Sequence, residues 1–292
     1  MAARDLSAGS YRRTSLRTLE KMHPAVCFLY LLAVLGLTTF ASDPVTAAIS
    51  LAGALLLAIL SGVGGMGWFA AVAATAGLAN FLFVHNGETA LFFVGDLAFT
   101  LEALCYGLFT GAVLAAVCLW GACAVRFVTS DKYVWLFGRA FPAAGLVLSC
   151  AIRFVPQFIR TAREFTAIQG ANSVRERLHA FSASVGYSAE RAMDSSLSMK
   201  ARGYGTAKRT SFSVYRFTGY TASALAAVLL CAGTVLALRI SGAGRFYFYP
   251  ALSDIPSNAA DIVLYCAFAA LCLLPSAVIV YRNIMWNVRN SD

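Results

Sequence analysis

Six long apolar runs restrict what this chain can fold into. They cover residues 25–41, 45–62, 67–84, 101–125, 217–239 and 260–281. A helix of about 20 apolar residues spans the hydrocarbon core of a bilayer. Charged residues make up 13% of the chain, whereas a soluble domain carries roughly 25%. The sequence therefore predicts an all-α integral membrane protein with about six transmembrane helices.

The basic residues predict how these helices are oriented. If residues 1–23 are cytoplasmic and the six runs alternate in direction, only Arg239 and Arg245 of the 23 lysines and arginines lie on or near the outer side. Cytoplasmic loops of membrane proteins carry such an excess of positive charge. We expect a multi-pass protein of the cell's inner (plasma) membrane, with both termini in the cytoplasm.

Residues 133–159 are also apolar enough to cross, but they contain Arg139, Pro142, Arg153 and Pro156. A charge at the bilayer centre costs at least ~2.5 kcal/mol. A crossing here would also move the following basic stretch to the outside. We therefore predict a broken helix that dips into the membrane or lies along its inner surface.

Three regions follow from this pattern. Residues 1–132 form a four-helix transmembrane region, residues 133–216 an interfacial and cytoplasmic region, and residues 217–292 a two-helix transmembrane region. Within the middle region, residues 160–211 carry nine lysines and arginines against four acidic residues.

Apolar residues at helical spacing predict amphipathic helices in this middle region, because such stripes are normally buried. The three stripes are Phe158, Ala162 and Phe165; Leu178, Phe181 and Val185; and Met193, Leu197 and Ala201.

Helix stops separate the stripes. The segment from Gln169 to Asn172 is typical of a helix end, because Gly and Asn tolerate the left-handed conformation. Ser173 and Glu176 then form a capping-box pattern. A weaker break is predicted at residues 186–188. The region should hold two or three helices.

The last of these helices ends at Lys200-Ala201-Arg202-Gly203-Tyr204-Gly205. An arginine at a helix tip offers a planar fork to carboxylates or carbonyls. Ala201 and Gly203 have no bulk that would obstruct a close approach. From the residues alone, two interpretations stay open: a helix pair that lies on lipid headgroups, and a docking element for a soluble partner.

Several motifs, in order, resemble the T component of energy-coupling factor (ECF) transporters, the EcfT or CbiQ-like family. Residues 198–205 (SMKARGYG) resemble the family's second Ala-Arg-Gly coupling motif. Residues 136–156 are similar to its pre-coupling helix, and residues 100–107 and 80–89 to further family segments. The resemblance covers about residues 20–217.

The resemblance implies a non-catalytic scaffold that joins two ABC ATPase subunits to a membrane-embedded, substrate-binding S component for vitamin or metal-ion uptake. Ala201, Arg202 and Gly203 would fit a groove on one ATPase, and Ala167, Gln169, Gly170 and Asn172 a groove on the other. Arg163, Lys200, Tyr204 and Gly205 would support these contacts. The resemblance also implies that the two coupling helices cross closely, which small residues on them would permit: Ala162, Ala192, Ser195, Ser196 and Ser198.

The first motif departs from the family pattern. Gln169 stands where the family has an arginine, and Asn172 where it has a glycine. Gln169 keeps hydrogen bonding but loses the charge. Either that contact is weakened, or Arg163 substitutes for it, or the ATPase has changed to match.

The chain lacks a phosphate-binding G-x-x-x-x-G-K-[ST] loop, so we expect ATP hydrolysis to belong to the partners. We predict no catalytic residue, metal site, cofactor or nucleic-acid partner. The alternative is a self-contained secondary transporter, which should show internal repeats and charged or broken helices at mid-membrane.

Four further polar sites are predicted at the membrane ends. Asn86-Gly87 is a hairpin signal between two apolar runs. Glu102 and Asp261 should begin helices at the membrane interface. Arg239 should extend its charge to water.

Overall fold

The protein is described from a computed structural model over residues 23–84, 87, 89–94, 97–168, 170, 173–204, 206, 215, 217–249, 252–254 and 256–291. Within these residues the chain forms nine helices and one pair of antiparallel strands. In chain order they are α1 (Pro24–Thr39), α2 (Pro44–Ser61), α3 (Met66–Phe83), β1 (Ala90–Val94), β2 (Leu97–Thr100), α4 (Leu101–Phe127), α5 (Ser130–Ala140), α6 (Pro142–Ile168), α7 (Val174–Ala201), α8 (Gly219–Ile240) and α9 (Ala259–Ser291).

The chain divides into two compact units at residues 129/130 and 215/216. Helices α1–α4, the two strands and helices α8 and α9 belong to the first unit. Helices α5–α7 form the second unit. The sequence had placed the corresponding boundaries at 132/133 and 216/217.

Six of the described helices are long and apolar enough to cross a membrane, and the chain is an all-α, multi-pass membrane protein apart from its short strand pair. The set of six differs from the predicted one in two places. Helix α1 has only 16 residues, which is just below the usual range for a span. Helix α6, predicted as part of a broken interfacial helix, reaches 27 residues.

The predicted break in residues 133–159 occurs at Phe141, between α5 and α6. Pro142 begins α6, where a missing N–H costs nothing. Gly138 and Gly145 lie in backbone contact across this junction, so a side chain at Gly145 would clash with Gly138. The chain therefore makes a sharp turn here, while Pro156 is accommodated inside α6.

The core of the first unit lies where α2, α4 and α9 pack together. Trp120 of α4 is fully buried, and its indole N–H donates to the hydroxyl of Ser50, 3.0 Å away. Ser50 in turn shares a hydrogen bond of 2.7 Å with Thr38. This short chain satisfies three buried polar groups and fixes α1 and α2 against α4.

Helix α3 packs on α4 through glycine. A Cβ atom at Gly107 would lie 2.6 Å from the carbonyl oxygen of Gly77. No residue of α3, all of which are described, is buried. Close backbone approach through small residues is the usual way in which apolar helices associate in a membrane, and here it holds α3 in place.

The predicted hairpin lies later in the chain than its Asn-Gly signal. Strands β1 and β2 pair with Ala90 opposite Thr100 and Val94 opposite Leu97, with an irregularity between Ala90 and Phe92. The connection therefore falls at residues 95 and 96, outside the described residues. Asn86 lies outside the described residues, and the run before it is helical up to Phe83, so Asn86-Gly87 does not join the paired strands. Gly87 itself approaches the next helix. A Cβ atom there would lie 2.5 Å from Glu102 Oε2.

The two predicted interfacial acids begin α4 and α9, but both are buried. Thr89 donates its backbone N–H (3.3 Å) and its hydroxyl (2.5 Å) to Glu102. Asp261 accepts from the backbone N–H groups of Gly244 (2.7 Å) and Asn258 (3.1 Å). Protein donors bind these carboxylates, and both residues begin helices that are long enough to span a membrane. Their position at the membrane interface stays a prediction.

Arg239 does not extend to water as predicted. Its guanidinium pairs with Asp43 and donates to the Thr46 hydroxyl (3.0 Å) and the Gly244 carbonyl (3.0 Å). A buried carboxylate at the start of α2 was available, and pairing with it satisfies both charges.

Candidate functional site

The first predicted motif lies at the end of α6. Ala167 is exposed, and its carbonyl accepts from the N–H of Gly170, 3.2 Å away. Gly170 has a φ of +56°, which confirms the predicted left-handed helix stop. Gln169 and Asn172 lie outside the described residues, so their roles stay predictions.

The predicted capping box at the start of α7 is confirmed. Ser173 Oγ accepts from the Glu176 N–H (3.3 Å), and Glu176 Oε2 accepts from the Ser173 N–H (3.1 Å). Two of the N–H groups that a helix start leaves without an intrahelical partner are thereby satisfied. The chain stops one helix and begins the next within five residues.

Helix α7 continues without interruption over 28 residues, so the predicted break at residues 186–188 was wrong. Gly186 has no left-handed φ. Its intrinsic cost in a helix is only about 1 kcal/mol relative to alanine. The contact of the neighbouring Tyr187 with α6 stabilises the helix across this point.

Helices α6 and α7 cross each other. The rings of Phe158 and Phe181 lie 5.8 Å apart, edge to face, and those of Phe165 and Tyr187 lie 5.9 Å apart. From the first pair to the second, the residue number increases on both helices. In an antiparallel hairpin it would increase on one helix and decrease on the other. The helices therefore meet at an angle, and these rings lie about the crossing.

Small residues are buried near this crossing, as expected for a close approach, but they are not the predicted ones. Thr161 on α6 and Ala180 and Ser184 on α7 are buried. The small residues proposed from the sequence on α7 lie further along the helix, where they are exposed or half-buried: Ala192, Ser195, Ser196 and Ser198. Small residues occur along much of α7, so their presence alone could not show where α7 crosses α6.

Most of the apolar stripe of α7 is left uncovered by the described residues. The side chains of Leu178, Val185, Met193 and Leu197 are between 44% and 64% exposed. From Tyr187 to Tyr204 no residue is buried. Both interpretations given above, a helix pair on lipid headgroups and a docking element for a soluble partner, leave such a stripe uncovered by the chain itself.

The second predicted motif ends α7 in an ordered turn. The N–H of Tyr204 donates to the Met199 carbonyl (3.1 Å), and the N–H of Gly203 donates to the Lys200 carbonyl (2.9 Å). This bonding pattern is a Schellman motif, which requires a left-handed residue. Gly203 supplies it with a φ of +75°. Arg202 is the helix cap immediately before this residue.

Thr206, which is not among the predicted site residues, also stabilises the turn. Its hydroxyl donates to the Gly203 carbonyl, 2.7 Å away. A threonine three residues after a turn glycine is a common local hydrogen-bonding pattern, and this pattern could have identified it. The second predicted tip is thus fixed by its own backbone and one hydroxyl.

The charged and aromatic residues of this tip are accessible. Lys200, Ala201, Arg202 and Tyr204 are exposed, while Gly205 lies outside the described residues. The cations lie at the carboxyl end of a helix, where the dipole favours them. The end of α7 is therefore a positively charged, ordered tip, and the residues on either side of Arg202 are small.

The structure does not bring the two motifs together. Gly170 precedes the start of α7, and Arg202 caps its other end. At 1.5 Å per residue, the 28 residues of α7 place its two ends about 40 Å apart. Arg163 is exposed on α6, near the first motif and not the second.

Among the residues that the structure describes, no group of three or more His, Cys, Asp or Glu side chains could hold a metal ion. No protein-family model matches the chain. No curated protein matches it significantly either.

Proposed function

We propose that this chain is the transmembrane coupling subunit, or T component, of an ECF-type importer in the cell's plasma membrane. It would carry the motion of two ABC ATPase subunits to a substrate-binding S component that takes up a vitamin or a metal ion. The proposal rests on the order of motifs along residues 20–217 and on the form of helices α6 and α7.

The observation that carries the proposal is the tip of α7. Arg202 is exposed, and the backbone that holds it is fixed by the hydrogen bonds of Tyr204 and Gly203. A pre-ordered tip loses little conformational entropy when it binds. Its guanidinium can pair with a carboxylate or helix-terminal carbonyls in a groove of the partner.

The separation of the two motifs supports two docking positions. Tips about 40 Å apart along α7 cannot enter one groove on a small domain. They suit two copies of a partner, or two related partners, each of which takes one tip. The exposed second half of α7 leaves the Arg202 tip accessible.

The mechanism follows from the crossing of α6 and α7. When the two ATPases approach each other on binding ATP, the two tips move with them. The helices turn about their crossing at Thr161 and Ser184, where small side chains leave the backbones close. The chain itself supplies no hydrolytic residue, and the free energy comes from the ATPases.

Co-purification tests this proposal. The tagged chain is extracted from its native membrane in a mild detergent, and the bound proteins are identified by mass spectrometry. We expect two ATPase subunits and a small hydrophobic protein. The variant Arg202→Glu should lose ATPase subunits at least ten-fold, because a reversed charge at a buried contact costs roughly 2–5 kcal/mol.

Arg191→Glu is the matched control, since Arg191 is also exposed on α7 but lies away from the tip. It should retain the ATPases. Equal retention by both variants would contradict the role of the tip. Recovery of the wild-type chain alone would instead favour the self-contained secondary transporter.

A further inference from the structure

Helix α6 has three distinct sides. One side faces α7 through Phe158, Thr161 and Phe165. A second side is apolar and exposed: Ile152 is 38% exposed, Val155 54% and Ile159 45%. In a chain that spans membranes, an exposed apolar helix face normally contacts lipid.

The third side of α6 is cationic. At 3.6 residues per turn, Arg153, Arg160 and Arg163 lie roughly 80–160° around the helix from Val155. All three are exposed, and Glu164 is the only acidic residue of α6. Long arginine side chains can reach sideways from an apolar face to the phosphate level of a bilayer.

We propose that α6 lies along the inner surface of the membrane as an anionic-phospholipid binding helix. Ile152, Val155 and Ile159 enter the acyl chains, and Arg153 and Arg160 bind headgroup phosphates. A transmembrane arrangement is disfavoured, because Arg153 lies near the middle of the 27-residue helix and would sit deep in lipid. This surface is independent of the proposed ATPase contact.

The depth of α6 in the bilayer is the first test. Leu148→Trp and Ile159→Trp are made separately in the full-length chain and reconstituted into vesicles of phosphatidylcholine and phosphatidylglycerol. Leu148 and Ile159 lie on the same apolar side, about 20° apart around the helix. Quenching by lipids brominated at different acyl positions is measured for each variant, with the wild-type signal subtracted. The two positions are eleven residues apart, or about 17 Å along the helix.

A helix that lies along the surface places both tryptophans at the same shallow depth, which is the result we expect. A crossing helix would place them at depths that differ by about 17 Å, and this would overturn the proposal. Absence of quenching at both positions would mean that water or protein covers this face, and it would overturn the proposal too.

Headgroup binding is the second test. The full-length chain is purified with phosphatidylglycerol and phosphatidylcholine in equal amounts, and the retained lipids are measured by native mass spectrometry. We expect the wild type to retain phosphatidylglycerol preferentially. Removal of one surface arginine should lower that preference about five-fold, so the double variant Arg153→Gln/Arg160→Gln should abolish most of it.

Arg191→Gln, which removes one exposed arginine from α7, is the control and should retain the preference. An unchanged preference in the double variant would overturn the assignment of these arginines. Because this measurement uses the chain without ATPases, its failure and the failure of the proposed function are separate outcomes.

Discussion

Asp43 and Arg239 form an ion pair across 196 positions of the chain, with the carboxylate fully buried and the guanidinium 17% exposed. Asp43 also accepts from the N–H of Thr46, 3.1 Å away, and so caps α2. Arg239, from the end of α8, binds the carbonyl of Gly244 in the turn that follows. The pair therefore ties the beginning of α2 to the end of α8.

Removal of one partner should leave an uncompensated charge in the first unit. We expect Asp43→Asn to lower the free energy of unfolding by about 3 kcal/mol, measured as a lower melting temperature in detergent. Arg245→Gln removes an exposed arginine six residues further along and should have almost no effect. The double variant Asp43→Asn/Arg239→Gln should recover part of the loss. A similar loss in Asp43→Asn and Arg245→Gln would contradict a specific pair.

The α3–α4 contact should depend on the absence of a side chain at Gly107. Gly107→Ala would place a methyl group 2.6 Å from the Gly77 carbonyl oxygen, and overpacking of this kind costs roughly 1–3 kcal/mol. We expect faster proteolysis of the α3 region and a lower melting temperature. Gly121→Ala, on the same helix with no atom within 4 Å, should be neutral or slightly stabilising. Equal effects would mean that the helices are not in close contact at Gly107.

The same substitution should have opposite effects at two glycines of the α7 region. Gly186 lies inside the helix with open space around it, so Gly186→Ala should stabilise α7 by about 1 kcal/mol. Gly203 requires a left-handed conformation, so Gly203→Ala should destabilise the tip by about 1 kcal/mol.

Amide hydrogen exchange measures both effects. Protection of the α7 amides should rise in Gly186→Ala and fall around residues 199–204 in Gly203→Ala. A change of the same sign in both variants would be inconsistent with the conformations described.

The two motifs should contribute unequally to transport. Arg202→Ala removes a charge from an exposed, pre-ordered tip, whereas Gln169→Ala removes only hydrogen bonding. We expect uptake of substrate into reconstituted vesicles to fall at least ten-fold in Arg202→Ala and only a few-fold in Gln169→Ala. The amount of folded chain should be unchanged in both. A larger loss in Gln169→Ala would mean that the first motif is the main contact.

Local signals predicted the ends of helices well. These signals depend only on residues that are close together in the sequence. They are the capping box at Ser173 and Glu176 and the glycine stops at Gly170 and Gly203. The apolar runs predicted the membrane class for a similar reason, because bilayer thickness sets their length.

Long-range contacts were less predictable. Nothing near Arg239 in the sequence indicates that Asp43 lies beside it, so solvation was the reasonable expectation. The predicted helix break at Gly186 was wrong. The contact of Tyr187 with Phe165, which stabilises the helix there, depends on how α6 and α7 cross, and the local sequence does not indicate it. The Asn-Gly signal at residues 86–87 did not locate the connection between the paired strands, which falls at residues 95 and 96.

The continuity of α7 gives it the mechanical character of a rigid lever. If α7 turns about its crossing with α6 near Ser184, as proposed, Arg202 lies eighteen residues from the pivot, or about 27 Å along the axis. A tilt of about 10° about that pivot would displace the Arg202 tip by roughly 5 Å, with the other end of α7 moving in the opposite direction. A rigid-body rotation would therefore move both ends of α7 without any rearrangement of its backbone.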